Sequence, residues 1–247
     1  MAKELQKLKN ALLSLFLKPN CPLCDRPAEV EVCEYCQRQL KRCQLSQPSY
    51  LWQGQLPVFV WGNYGGLLKR ALAALKYEDQ PQLARPMGHW LGEAWLKSPA
   101  AKRTKKLTAI PIPLHSTKLK QRGFNQAELI AQSFCEFTGY KQQPQGLERV
   151  RATEAQFGLS GEERSQNLAD AFILGKNLRR RPPTSPVLLV DDIYTTGATV
   201  NSAAKILHQQ GITVYGVVAI ATTNRDAGTR RRGDEETRGR GDAGTRR

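Results

Sequence analysis

The run Val187-Leu188-Leu189-Val190-Asp191-Asp192, continued by Ile193-Tyr194-Thr195-Thr196-Gly197-Ala198-Thr199, constrains the fold of this chain more than any other stretch. Four apolar residues after Pro186 leave no polar face, so they read as an interior strand of a parallel sheet, buried on both sides. Such a sheet requires crossover helices and makes the chain α/β. The acidic pair falls at the carboxyl end of the strand, where open α/β sheets bind ligands. Short hydroxyl residues around a glycine follow, then the helical run Ala203, Ala204, Ile206 and Leu207. Backbone N–H groups at such a turn and helix start face an anion. The two halves fit a sugar phosphate, with its hydroxyls on Asp191 and Asp192 and its phosphate on Thr195, Thr196, Gly197, Ala198 and Thr199. A strand ending in two acids also occurs in P-loop nucleotidases and in aspartyl-phosphate receivers, but neither predicts the Thr-Thr-Gly-Ala-Thr turn. No G-x-x-x-x-G-K-[ST] completes a P-loop. A purely structural strand is the remaining alternative.

Cys21-x-x-Cys24 and Cys33-x-x-Cys36 place two thiolates in each of two tight knuckles, the pattern of a tetrahedral four-cysteine zinc site. The segment between them is too short to form a core, so bound metal would supply the missing folding energy. Paired disulfides are the alternative, without a secretory context to favour them. Cys43 and Cys135 have no such partners and read as buried or idle thiols.

The sequence divides into an amphipathic helix over 1–20, a zinc module over 21–43, a polar linker over 44–57, a main α/β domain over 58–222 and a tail over 223–247. Leu5, Leu8, Leu12, Leu15 and Phe16 share one face at helical spacing, either docked on the body or lying on a membrane surface. No segment reaches transmembrane length. In the main domain, Val58-Phe59-Val60-Trp61 opens a strand, Leu68, Ala71, Leu72 and Leu75 stripe a helix, and Leu83, Met87, Leu91 and Trp95 stripe a second. The tail is built from Arg, Gly, Asp, Glu and Thr without apolar period, a composition expected to be disordered. Its Gly239, Gly241 and Gly244 spacing is a false dinucleotide motif, with no strand or helix beside it.

A net charge of +15 on 247 residues favours polyanionic partners, namely nucleic acid, an acidic lipid surface or phosphorylated small molecules. A merely basic, solvated surface is the alternative. Basic clusters lie at Lys102, Arg103, Lys105 and Lys106, at Lys118, Lys120 and Arg122, and at Arg179, Arg180 and Arg181. For single-stranded nucleic acid, Tyr35 and Trp52 are the candidate stacking aromatics, each equally readable as packed.

The strand, acid pair and hydroxyl loop resemble the 5-phosphoribosyl-1-diphosphate (PRPP) motif of type I phosphoribosyltransferases. A second set of landmarks narrows the resemblance. The paired Cys-x-x-Cys, then Leu75-Lys76-Tyr77, then Ile112-Pro113 with Arg122-Gly123-Phe124-Asn125-Gln126, then Gln156 and Arg164 to Asn167, then the acid strand, look like the bacterial ComF competence family. They run in order from Cys21 to about Ile220.

The resemblance implies a type I phosphoribosyltransferase fold with a small N-terminal four-cysteine zinc module. It implies a diphosphate-gripping loop from His115 through Asn125, with Lys118, Arg122 and Gly123. It also implies a loop closing over the ligand from about Arg149 to Asn167, including Arg164. A magnesium ion would accompany PRPP and stabilise the departing diphosphate, while the two acids hold the ribose. The family role implied is an accessory protein of DNA uptake in natural transformation, cytoplasmic or peripheral at the inner membrane face, with single-stranded DNA and other uptake proteins as partners. The alternative is an active phosphoribosyltransferase on an acceptor that no segment identifies.

Overall fold

The computed structural model describes residues 20–104, 106–151 and 171–223. All but the last residue of the helix expected over 1–20, the loop residues 152–170 with Arg164, Lys105, and the tail beyond residue 223 lie outside the described residues.

Five strands make one parallel sheet: β1 (Val58–Asn63), β2 (Thr108–Pro111), β3 (Lys141–Gln142), β6 (Val187–Tyr194) and β7 (Val214–Thr222), in the order β1-β7-β6-β2-β3. The apolar strand of the sequence, β6, lies at the centre, paired with β7 on one side and β2 on the other. Strands β4 (Leu147–Arg149) and β5 (Phe172–Leu174) form a separate antiparallel pair. Among the described residues, the helices of five residues or more are α1 (Glu34–Lys41), α2 (Gly66–Tyr77), α3 (Ala84–Lys97), α4 (Ser116–Arg122), α5 (Gln126–Thr138), α6 (Lys176–Arg180) and α7 (Ala198–Gln209), and a single helical turn at Pro99–Lys102 follows α3. A 3₁₀ turn at Pro81–Leu83 precedes α3, so Leu83, the first residue of the expected stripe, stands in that turn and Met87, Leu91 and Trp95 in the α-helix. Among the described residues, no helix is long and apolar enough to cross a membrane.

Strand side chains alternate between faces, and each face has its own core. Leu188 and Val190 join Phe59, Trp61, Val218 and Ile220 beneath α2, α3 and α5. Leu189 and Val187 join Val58, Val60 and Val217 beneath α7 and the β4–β5 pair. This two-sided burial explains why β6 has no polar alternation before its acids.

The residues of 44–57 run along the outer strand β1. Leu45 N–H donates to Trp61 O at 2.9 Å, Val60 N–H to Pro48 O at 2.9 Å and Val58 N–H to Leu51 O at 3.0 Å. Trp52 packs edge-on to Trp95, with ring centroids 5.1 Å apart, and against Tyr215 at 5.4 Å. A Cβ on Gly216 would lie 2.6 Å from the Trp52 ring, so the indole fills the space the glycine leaves. Trp52 therefore serves packing, and Tyr35, with the Arg26 guanidinium over its ring, is the exposed aromatic of the two.

Helices α3 and α5 approach closely because Gly88 has no side chain. A Cβ there would meet Ser133 Cβ at 2.6 Å and Ile130 O at 2.7 Å, and backbone cannot yield as a side chain can. Gly88→Val should cost about 1–3 kcal/mol by overpacking, lowering the Tm by about 2–4 °C per kcal/mol. Gly65→Ala, where a Cβ meets nothing within 4 Å, should leave the Tm nearly unchanged in the same thermal melt.

Candidate functional site

The sequence places the acids at the end of the strand, but β6 runs on to Tyr194 and both carboxylates are buried, Asp191 at 9% and Asp192 at 4% exposure. Alternation turns neighbours on a strand to opposite faces, and the two acids have different partners. Lys76, in the last turn of α2, sets its ammonium against Asp192 Oδ2. Gln126 Nε2 donates to Asp192 Oδ1 at 3.2 Å, and Arg122 donates to Gln126 Oε1. Arg122 also lies over the Tyr77 ring, 5.4 Å from its centroid, so α2, α4 and α5 meet at one carboxylate.

Asp191 accepts the Asp192 N–H at 2.8 Å. Burial, and then the charge of Asp192, push its carboxyl well above the usual carboxylate range, with Lys76 partly opposing. On the hairpin side, burial pulls the Arg149 guanidinium down while the charge of Asp191 partly restores it. The site is thus a buried cluster of two acids among Lys76, Gln126, Arg122 and Arg149.

Beyond Tyr194 the chain turns through exposed Thr195 and Thr196 into α7. Gly197, at φ +80°, is in left-handed backbone, and a Cβ there would also lie 2.8 Å from the Tyr194 hydroxyl. The turn is therefore available to glycine. It brings the start of α7, with Ala198 exposed and Thr199 half-buried, to the same edge of the sheet as the acids. Thr196 Oγ1 accepts the Ala198 N–H at 3.4 Å.

The loop after β2 reaches this edge as well. His115 caps α4, its Nδ1 accepting the Thr117 N–H at 3.4 Å, and it bridges Arg149 in parallel. Gly123, at φ +82°, ends α4. Asn125 then donates to Ile112 O at 3.0 Å and caps α5 through Ala127 N–H at 3.1 Å. This double anchorage fixes where Arg122 and Gln126 stand. Lys118 within α4 and Gly123 at its end are exposed, and no side-chain hydrogen bond or ion pair among the described residues joins either to the acids.

Of the expected site residues, the structure brings together the acid pair, the 195–199 turn, His115 and Arg122. Sequence reasoning missed Lys76, Gln126 and Arg149 as members of the cluster. Lys76 carried a legible signal: it follows Leu68 and Leu72 at steps of four, so a cation stands on the buried stripe of α2. A half-buried lysine on an apolar stripe calls for an acid, and Asp192 is that acid.

At the other end of the chain, the sulfur atoms of Cys21, Cys24, Cys33 and Cys36 all lie within 4.8 Å of one another, with Cys24 and Cys33 3.4 Å apart. A tetrahedral ion with bonds of about 2.3 Å would set its sulfurs about 3.8 Å apart, so the cluster fits a structural metal site. Cys21 N–H donates to Arg26 O at 2.7 Å and Asp25 N–H to Cys21 O at 2.8 Å, closing the first knuckle. Cys33 begins α1 and places Cys36 in its first turn. The module joins the core under α2 and α3 through Val32 and Leu40, and Arg85 pairs with Glu31 at 2.6 Å. Cys135 is buried, and burial pushes its thiol up to about 12, consistent with an idle core residue.

No family model matches the chain. It is 31% identical over 183 residues to Competence protein F of Haemophilus influenzae, covering 72% of this chain and 76% of that one. It is 29% identical over 210 residues to DNA utilization protein YhgH of Escherichia coli O6:H1, covering 83% and 85%. It is 26% identical over 196 residues to Competence protein ComFC of Bacillus subtilis, covering 77% and 72%.

The raised carboxyl of Asp191 makes a signed prediction. The folded chain holds this proton to higher pH than the unfolded chain, so stability falls as pH rises from the unfolded value to the folded one. Asp191→Asn removes that cost and should raise the Tm at pH 7, with the gain vanishing below about pH 4. A Tm at pH 7 equal to or below the parent's would contradict the burial argument.

Proposed function

The chain belongs to the ComF competence family, and on that premise we propose that it is an accessory protein of DNA uptake that binds PRPP at the carboxyl edge of its sheet. The observation that carries the reading is the convergence of two buried acids and the Thr195–Thr199 turn on one edge of the sheet. In this reading the domain is of phosphoribosyltransferase type. The ribose hydroxyls donate to Asp191 and Asp192, and the phosphate accepts from the N–H groups of Thr196, Gly197, Ala198 and Thr199. Lys76 and Gln126 each engage one oxygen of the Asp192 carboxylate and fix its orientation, so a ribose hydroxyl would take its place beside or in exchange for one of them. His115, Lys118, Arg122 and Gly123 take the diphosphate side, where cations offset its charge. Magnesium fits the hard oxygens of the acid pair and the diphosphate, and supplies charge neutralisation there.

We read the four-cysteine cluster as a zinc site, because an all-thiolate tetrahedral set suits a soft, structure-forming ion. The positive charge supports single-stranded DNA as the macromolecular partner. The competence and DNA-utilization names of the relatives point the same way.

A second reading, transfer of the phosphoribosyl group with release of diphosphate, shares the same acids and turn. Calorimetric titration with PRPP and magnesium should show saturable binding that is lost when Asp191 and Asp192 are both replaced by Asn. Unchanged affinity in that variant would remove the site assignment. Diphosphate release on addition of candidate acceptors would favour the transferase. Elemental analysis should find about one zinc per chain, with Cys33→Ser losing most of it; protein purified without chelator and carrying no zinc would refute the metal assignment.

A further inference from the structure

The amino ends of β2, β3 and β6 form a groove of about 450 Å³ on the opposite edge of the sheet from the acid pair. Along β6 the two are separated by the four residue steps from Val187 to Asp191, about 13 Å. Lys106, Lys141 and Arg181 line the groove, from three segments far apart in sequence, together with Tyr140, Pro182 and Pro183. All three cations are exposed. No ion pair among the described residues engages Lys106, Lys141 or Arg181. No acidic residue lines the groove among those described.

The chain just before Lys106 carries exposed Lys102 and Arg103, and the helical turn before Arg181 carries exposed Arg179 and Arg180. A small anion would be satisfied by three cations, whereas a set that continues outward along both segments suits a polyanion. The walls narrow the choice further. Tyr140 is half-buried, its hydroxyl accepting the Trp95 indole N–H at 3.2 Å, so its ring is held in place. With Pro182 and Pro183 it offers flat, rigid surfaces to unpaired bases, which a duplex does not present.

We propose that this groove is the binding surface for single-stranded nucleic acid, with Lys106, Lys141 and Arg181 on phosphates and Tyr140 against a base. The proposal rests on the nucleic-acid reading above and adds the location, on the edge of the sheet away from the ribose-phosphate site. The test compares the full chain with Lys141→Ala/Arg181→Ala and with Lys69→Ala/Lys205→Ala. The second double variant removes the same charge from exposed positions outside the groove. Anisotropy of a labelled thymidine oligonucleotide is followed against salt, and thermal melts verify that all three proteins fold. The groove variant should bind at least about tenfold more weakly, with the slope of log affinity against log salt reduced by about 1.4, two contacts at about 0.7 each. The control variant should bind like the parent. Equal losses in the two variants, or no loss in the groove variant, would overturn the location while the nucleic-acid reading stands. A parent that binds no oligonucleotide would overturn both. Duplex DNA or heparin bound as tightly, and weakened equally by the groove variant, would overturn the assignment to single strands.

Discussion

A charged carboxylate at the centre of a sheet is costly, and the structure is organised around compensating two of them. Asp191 and Asp192 sit on the central strand, whose neighbours on both sides are apolar. Lys76, presented by α2, answers Asp192, and Gln126, at the start of α5, completes it. Arg122, at the end of α4, braces Gln126. On the other face Arg149 brings the charge of β4 toward Asp191. Each partner comes from a different element, so the positions of α2, α4, α5 and the β4–β5 pair are coupled to one acidic dipeptide. Desolvation of Asp191 is only partly offset, and an uncompensated cost of this kind concentrates at functional sites.

What could be read from the sequence was local. Continuous apolar character announced the buried strand, the Thr-Thr-Gly-Ala-Thr run announced a turn, and that turn does place Gly197 in left-handed backbone. The stripes of α2 and α3 and the spacing of the four cysteines were equally legible, because helix period and knuckle geometry act over a few residues. The relations between distant segments were not. Lys76 and Asp192 are more than a hundred residues apart, and nothing in either neighbourhood names the other. Trp52 stands in a polar stretch that reads as a linker, yet the space left by Gly216, far along the chain, receives its ring. The depth of the acids was misjudged for the same reason: strand length past Val190 is set by pairing with β7 as far as Tyr194, which only the fold reveals.

Parallel topology then separates two chemistries on one sheet. All strand carboxyl ends lie together, carrying the acids, the 195–199 turn and the loop from His115. All amino ends lie together as well, carrying Lys106, Lys141 and Arg181. The four-cysteine module adds a third feature that packs under α2 and α3 rather than beside either edge. On the proposed reading, a small phosphorylated ligand and a nucleic-acid strand would take opposite edges of one sheet and would not compete for the same surface.

The account stands on the acid pair as the place where a ribose phosphate binds, and a crystal structure with PRPP and magnesium tests that most directly. It should show ribose hydroxyls within about 3.2 Å of the Asp191 and Asp192 carboxylates, with a phosphate on the backbone N–H groups of the 195–199 turn. PRPP held elsewhere, or an acid pair still closed by Lys76 and Gln126 with no ligand against it, would contradict the account.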